Sequence, residues 1–208
     1  MNYLRNGYSC TVRNYPKYLF SVYLLIWGIL AINPSYRFDW FLENILVFVF
    51  GILLVVTHRK YPLSNKSYTL IFLFSVFHII GAHYTYSEVP FASKLSELVG
   101  VERNYYDRFI HFTFGLLITL PMGNLLELLS KISGRWLYLL TIAIMISFGE
   151  IYELLEWLTA IIVSPKAGIA FLGAQGDVFD AQKDVFCNLA GIFIALLVYF
   201  FTKKRSLL

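Results

Sequence analysis

Charge is scarce in this chain of 208 residues: Asp, Glu, Lys and Arg make up 14% of it, against about 25% in ordinary soluble domains. With 58% hydrophobic residues and a mean hydropathy of +0.65, that scarcity excludes a soluble globule and points to a membrane protein. Cysteine is nearly absent. Cys10 precedes the first apolar run and Cys187 lies inside the last, so a bond between them would have to cross the bilayer. Both are read as free thiols. No Walker loop, dinucleotide fingerprint or GxSxG elbow occurs, and Ser87 and Ser93, although near His83 in sequence, have no such setting. Nucleotide-driven and serine-nucleophile chemistry are therefore not expected of the chain itself. The apolar run Tyr18 to Ile32 is followed by Asn33-Pro34-Ser35-Tyr36-Arg37, which lacks a small-x-small cleavage site, so an uncleaved anchor is expected.

What the sequence has in plenty is apolar helix-length segments. Six stretches, at about 18–33, 40–57, 68–87, 106–126, 136–163 and 183–202, suit the roughly 20 residues needed to span a bilayer. The expected fold is an all-α, polytopic transmembrane helical bundle forming one membrane domain over 1–208, with no soluble linker and no internal repeat. Fifteen Tyr and 19 Phe suit lipid-facing surfaces and interfacial belts. The net charge of +4 comes in short clusters beside the spans: Arg5, Arg13, Lys17; Arg59, Lys60, Lys66; Lys131, Arg135; and Lys203, Lys204, Arg205. No extended basic stripe exists, so nucleic acid is not an expected partner. The clusters hold 11 of the 17 basic residues and fall on alternate joints, which predicts both termini in the cytoplasm and loops 88–105 and 164–182 outside.

Four of the spans carry groups that hydrocarbon tolerates poorly: His78 and His83; Asp107 and His111; Glu150, Glu153 and Glu156; Asp184 and Asn188. Each costs several kcal/mol unless paired, ligating or wet, so together they predict one polar site. Counted at about 1.5 Å per residue, His83, Tyr86, Asp107, His111 and the three glutamates fall in the outer half. Spacings of three or four residues put Asp107 with His111, Glu153 with its neighbouring glutamates and Asp184 with Asn188 on shared faces. His78 is expected deeper and less central. The segment from Gly173 to Asp184 leads into this layer, and its Asp177, Asp180 and Asp184 align if the helix starts early.

Several motifs resemble the YjdF-like family of bacterial inner-membrane proteins. They are His83-Tyr84-Thr85-Tyr86, Val89-Pro90, Arg103-Asn104-x-Tyr106-Asp107-Arg108-x-x-His111-Phe112, Tyr152-Glu153-x-x-Glu156-Trp157 and Gly173-x-Gln175-Gly176-Asp177-x-x-Asp180-Ala181-Gln182-x-Asp184. The resemblance implies a bacterial inner-membrane location. Asp107-Arg108-x-x-His111, Glu153 and Asp184-x-x-x-Asn188-x-x-Gly191 are also similar to the core of VanZ-like proteins, which implies a link to cell-envelope chemistry.

Two readings of the polar residues stand side by side. In the first, His83, His111, Glu153 and Asp184 hold a divalent metal, since two imidazoles and two carboxylates suit zinc, iron or manganese. In the second, Asp107 pairs with Arg108 or Arg103, histidines donate to carboxylates, and Asp184 bonds Asn188 in a structural network. Candidate catalytic groups are Glu153, as a general acid or proton carrier, Asp107 and Asp180. Tyr86, Arg103, Glu150, Glu156, Asp177 and Asn188 complete the expected chamber, with Glu156 also readable as exposed at the interface. Asp177 and Asp180 equally fit turn and cap chemistry. His58 is expected to be solvated, Glu127 to pair with Lys131, and Gly115, Gly149 and Gly191 to permit close helix packing. The expected ligand is membrane lipid, through its head group, or a small molecule. The leading expectation is an envelope or head-group enzyme or a lipid-binding protein, and the rivals are a proton-coupled small-solute transporter and a structural scaffold. Polar access from one face only favours binding or catalysis over transport.

Overall fold

The computed structural model describes residues 14–163, 168 and 171–205, and within them the chain is helical without strands. The helices are α1 (Tyr15–Leu30), α2 (Arg37–Thr57), α3 (Asn65–Tyr84), α4 (Pro90–Leu98), α5 (Tyr106–Ser130), α6 (Gly134–Ile162) and α7 (Asp180–Arg205). Five of them, α2, α3, α5, α6 and α7, are long and apolar enough to cross a bilayer. The sixth, α1, has 16 residues, about 24 Å at 1.5 Å per residue, and is a shorter apolar helix. The expected all-α bundle is thus present. Cys10, Arg5 and Arg13 lie outside the described residues, as does the Ser164-Pro165-Lys166 joint. Cys187 is a half-buried free thiol.

Local chemistry moves the expected ends. The third span begins at Asn65 because Ser64 caps it, its hydroxyl accepting from the Ser67 N–H at 3.1 Å. It ends at Tyr84 because Thr85 and Tyr86 both take positive φ, 57° and 32°. Such angles are strained for a β-branched and an aromatic residue and persist only where the surroundings enforce them. Here the turn swings the Tyr86 ring back onto Gly81, where a Cβ would lie 2.5 Å from Tyr86 Cε1. The stretch after α3, read from the sequence as loop 88–105, contains α4, started by Pro90 in its first turn. Its Phe91, Leu95 and Leu98 point outward, the pattern of a helix lying in a membrane interface.

The contact between α5 and α7 is the most extensive in the bundle, and glycine explains it. A Cβ on Gly191 would run into Phe112 O and lie 2.7 Å from Leu116 N, and one on Gly115 would strike Asn188 O. Gly149 of α6 leaves room for the Asn188 amide, so α5, α6 and α7 meet at one residue. This is the close packing expected of the three glycines, in which small residues let backbones touch. Beside it, α3 packs on α5 through a core of Tyr86, Val89, Ala92, Tyr106 and Ile110, flanked by Phe74 and Phe77.

Candidate functional site

Asp107 opens α5, and His111 follows one turn later with Nε2 3.7 Å from Asp107 Oδ1. The tight α5–α7 crossing brings Asp184 alongside. One ligand atom each from Asp107, His111 and Asp184 lies within 4.8 Å of the others, and all three residues are buried. From α6, Glu153 Oε1 reaches to 3.3 Å of His111 Nε2. Yet Glu153 Oε1, Asp184 Oδ1 and Asn188 Oδ1 are buried and accept no hydrogen bond. Asp184 does not bond Asn188, whose amide N–H instead donates to Met145 O at 3.2 Å.

A second ionic layer covers this group. Arg103 holds Asp180 and donates to Ala174 O at 2.6 Å. Arg108 donates to Asp177 at 2.5 Å and Asp180 at 3.3 Å, with Nε 3.9 Å from Asp184 Oδ1. Lys183 closes the layer on Asp177 at 2.5 Å. The arginines therefore serve Asp177 and Asp180 and not Asp107, contrary to the expected Asp107 pairing. Hydrogen bonds from Lys183, from the Phe179 N–H and from Arg108 hold the Asp177 carboxyl well below the usual carboxylate range. Asn104 and Gln175 fasten the loop to the start of α5: Asn104 N–H donates to Gln175 Oε1 at 2.8 Å, and Gln175 Nε2 to Asn104 O at 2.9 Å.

His83 does not join the group. Its Nδ1 contacts Leu30 O at 2.8 Å and its ring packs edge-on against Tyr84, tying α3 to the end of α1. Glu150 is exposed on α6. Glu156 is buried, so the interfacial reading of it fails. His58 is half-buried with Nδ1 2.5 Å from the Tyr68 hydroxyl, which replaces the expected solvated residue.

Beyond these, the structure shows a polar group that the sequence reading passed over. Asp39, Glu43 and Asn44 are all buried on α2. Asn44 Oδ1 accepts from the Trp27 indole at 2.7 Å, and its Nδ2 donates to Trp40 O at 2.6 Å. Glu43 Oε2 accepts from the Tyr152 hydroxyl at 2.8 Å and lies 3.3 Å from the Tyr86 hydroxyl. Tyr86 Oη is in turn 2.7 Å from His78 Nδ1. The signal was legible: Asp39 and Glu43 are four apart in an otherwise apolar span. His78, expected to be peripheral, belongs to this second group.

The site is thus built from α5, α6, α7 and the loops that lead into α5 and α7. The family described as predicted membrane protein DUF2238 matches residues 15–205. Inner membrane protein YjdF of Escherichia coli (strain K12) is 36% identical over 162 residues, 77% of each chain. No solved structure matches. Five spanning helices and this relative make the chain a multi-pass membrane protein, and it belongs to the DUF2238 family that the YjdF motifs indicated.

Proposed function

We propose that this protein is a membrane-embedded, metal-dependent enzyme acting on lipid head groups, with Asp107, His111 and Asp184 as metal ligands. The carrying observation is the convergence of those three donor atoms within 4.8 Å beside buried carboxylate oxygens that accept no hydrogen bond. Metal–oxygen and metal–nitrogen bonds of about 2.0–2.2 Å at the tetrahedral angle set ligand atoms about 3.4 Å apart, so side-chain rotations that draw the 4.8 Å group in by about 1.4 Å close the set. Charge argues the same way. Five carboxylates (Asp107, Glu153, Asp177, Asp180, Asp184) face three cationic side chains (Arg103, Arg108, Lys183), which leaves two negative charges with His111 neutral. A divalent cation supplies that balance where hydrocarbon forbids leaving it open. One imidazole with carboxylates suits zinc, manganese or iron.

Glu153 Oε1 then has the place of a general base, close to the ligand set and free to take a proton from a water at the site. Asp180, engaged by both arginines, acts as a positioning residue that aims Arg103 and Arg108. Location supports head-group chemistry. The group sits where α5 and α7 begin and α6 nears its end, beside the outward apolar face of α4 and the exposed Val178 and Phe179. The positive-inside rule applied to the charge clusters favours this end outside. Metal analysis of protein purified in lipid nanodiscs tests the centre: about one zinc, manganese or iron ion per chain is expected. It should be lost in His111→Ala and Asp184→Asn and kept in His83→Ala. Protein that stays metal-free after purification without chelators and after exposure to all three ions refutes the reading. A lipid inventory of cells lacking the protein then identifies the head group that accumulates.

A further inference from the structure

The second polar group, on α2, α3 and the turn after α3, supplies no ligand to the proposed metal site, and its hydrogen bonds fix where its protons can be. A backbone carbonyl only accepts, so the 3.3 Å contact between His78 Nε2 and Glu43 O puts a hydrogen on Nε2. In a neutral ring, Nδ1 is then a bare acceptor, and the Tyr86 hydroxyl at 2.7 Å must give it its one proton. The Tyr86 oxygen next faces Glu43 Oε2 at 3.3 Å with nothing left to donate. That contact is a hydrogen bond only if Glu43 carries the proton. If Tyr86 donates to Glu43 instead, Nδ1 needs a hydrogen of its own and His78 is an imidazolium. The remaining combination, ionised Glu43 beside neutral His78, sets two oxygens lone pair to lone pair in a buried site and forfeits a hydrogen bond. A tyrosinate is no escape, because burial holds the Tyr86 hydroxyl well above the usual tyrosine range.

We propose that Glu43, Tyr86 and His78 form a proton-holding relay, with one exchangeable proton shared between the Glu43 carboxyl and the His78 imidazole through the Tyr86 hydroxyl. The transfer balances. The Glu43 O–H bond breaks as its proton passes to the Tyr86 oxygen, while the Tyr86 proton passes to His78 Nδ1, giving carboxylate and imidazolium; the reverse restores both neutral forms. The strained turn at Thr85 and Tyr86 holds the bridging hydroxyl in place. Tyr152 steadies the acceptor end by donating to Glu43 Oε2 at 2.8 Å. Exchange with the surroundings takes place through a cavity of about 140 Å³ between α2 and α6, lined by Glu43, Tyr152 and Glu156 among apolar side chains. The ionisable groups facing Glu43 are Asp39 on its own helix, Asp107 on α5, Tyr152 and Glu156 on α6, and Tyr86.

Infrared spectra with carbon-13 glutamate, and nitrogen-15 NMR of histidine, test this on the full chain in nanodiscs at neutral pH. Expected is either a protonated-carboxyl band that vanishes in Glu43→Gln or doubly protonated ring nitrogens at His78. His78→Gln should shift the Glu43 signal in the wild-type background and leave it unmoved in a Tyr86→Phe background. Gln at position 43 offers the N–H donor that mimics the protonated acid, so Glu43→Gln should fold. If it does not, the isotope signals of the unsubstituted chain decide. An ionised Glu43 beside a neutral His78, or a His78 effect that survives Tyr86→Phe, overturns the relay. Metal content of Glu43→Gln should equal wild type, so the relay and the metal centre fail or stand separately.

Discussion

Gly191→Ala is the most direct probe of how this fold makes its site. The added Cβ would run into Phe112 O and sit 2.7 Å from Leu116 N, against an ordinary contact of 3.4 Å or more, so α7 must retreat from α5 by more than about 0.7 Å. The obstacles are backbone atoms of Phe112, Gly115 and Leu116, and no side-chain rotation relieves them. Overpacking typically costs about 1–3 kcal/mol, and a backbone-on-backbone clash belongs at the upper end. The same retreat pulls Asp184 of α7 away from Asp107 and His111 of α5, in a group already spread over 4.8 Å. Metal affinity should therefore fall by about 10- to 100-fold, the range seen when support around ligands is disturbed. Gly51→Ala is the control, since a Cβ there meets nothing within 4 Å. Denaturant unfolding in mild detergent, followed by metal titration, reads both effects. If Gly191→Ala matches Gly51→Ala in both, the close crossing does not govern the site and the reasoning fails.

Three further outcomes follow from the ionic layer and the topology. Because the folded Asp177 carboxyl is held below its ordinary range, its contribution is present above the unfolded value of about 3.9 and disappears as pH falls. Asp177→Asn should accordingly lose stability at neutral pH and show a flatter acid limb in melting curves taken across pH. Arg103→Ala leaves Asp180 with Arg108 alone and strips Ala174 O of its donor, which should destabilise by about 3 kcal/mol in denaturant titrations, with Arg103→Lys only partly restoring it. Cysteines placed at positions 95 and 170 should react with impermeant reagent from the outer face, while one at 131 should not; the reverse pattern would move the site to the cytoplasmic side.

The helices were legible because apolar windows of bilayer length leave few other folds, and Asp107, His111, Glu153 and Asp184 were legible because depth can be counted along a helix. Direction around the helix is harder to count. Glu150, Glu153 and Glu156 look like one stripe, but residues three apart step about 60° round the helix, so the outer two point about 120° apart. Glu153 faces His111, Glu156 faces the cavity beside Glu43, and Glu150 faces outward. His83 matches the site in depth and misses it in direction, ending on Leu30 O. Glu43 was overlooked for the opposite reason: α2 reads as the most hydrophobic span, and its acids hide in the first two turns. The nine-residue α4 is too short and too polar on average to stand out in any window sized for a bilayer.

Placing two buried acid systems at one end of a bundle would be ruinous if each had to be neutralised separately, and the structure divides the task. Salt bridges satisfy the layer nearest the loops, where Asp177 and Lys183 meet solvent and the cost of charge is lowest. Beneath it fixed cations run out: among the described residues Arg108 Nε is the one basic group paired with Asp184, at 3.9 Å, and Asp107 lies beside His111 and Asp184 with no salt bridge to Lys or Arg. On α2, no Lys or Arg among the described residues pairs with Glu43, whose partners are hydroxyls and a backbone-anchored imidazole. On the two readings proposed above, the compensating charge thus changes in kind from group to group: side-chain cations for Asp177 and Asp180, a metal ion for Asp107 and Asp184, a proton for Glu43. That order follows solvation cost: a guanidinium needs water or several acceptors nearby, a metal ion brings its charge without a side chain, and a proton occupies no volume at all. A lysine introduced at Tyr152 to neutralise Glu43 directly should then be tolerated only if it silences the relay, because both compete for the same carboxyl oxygen.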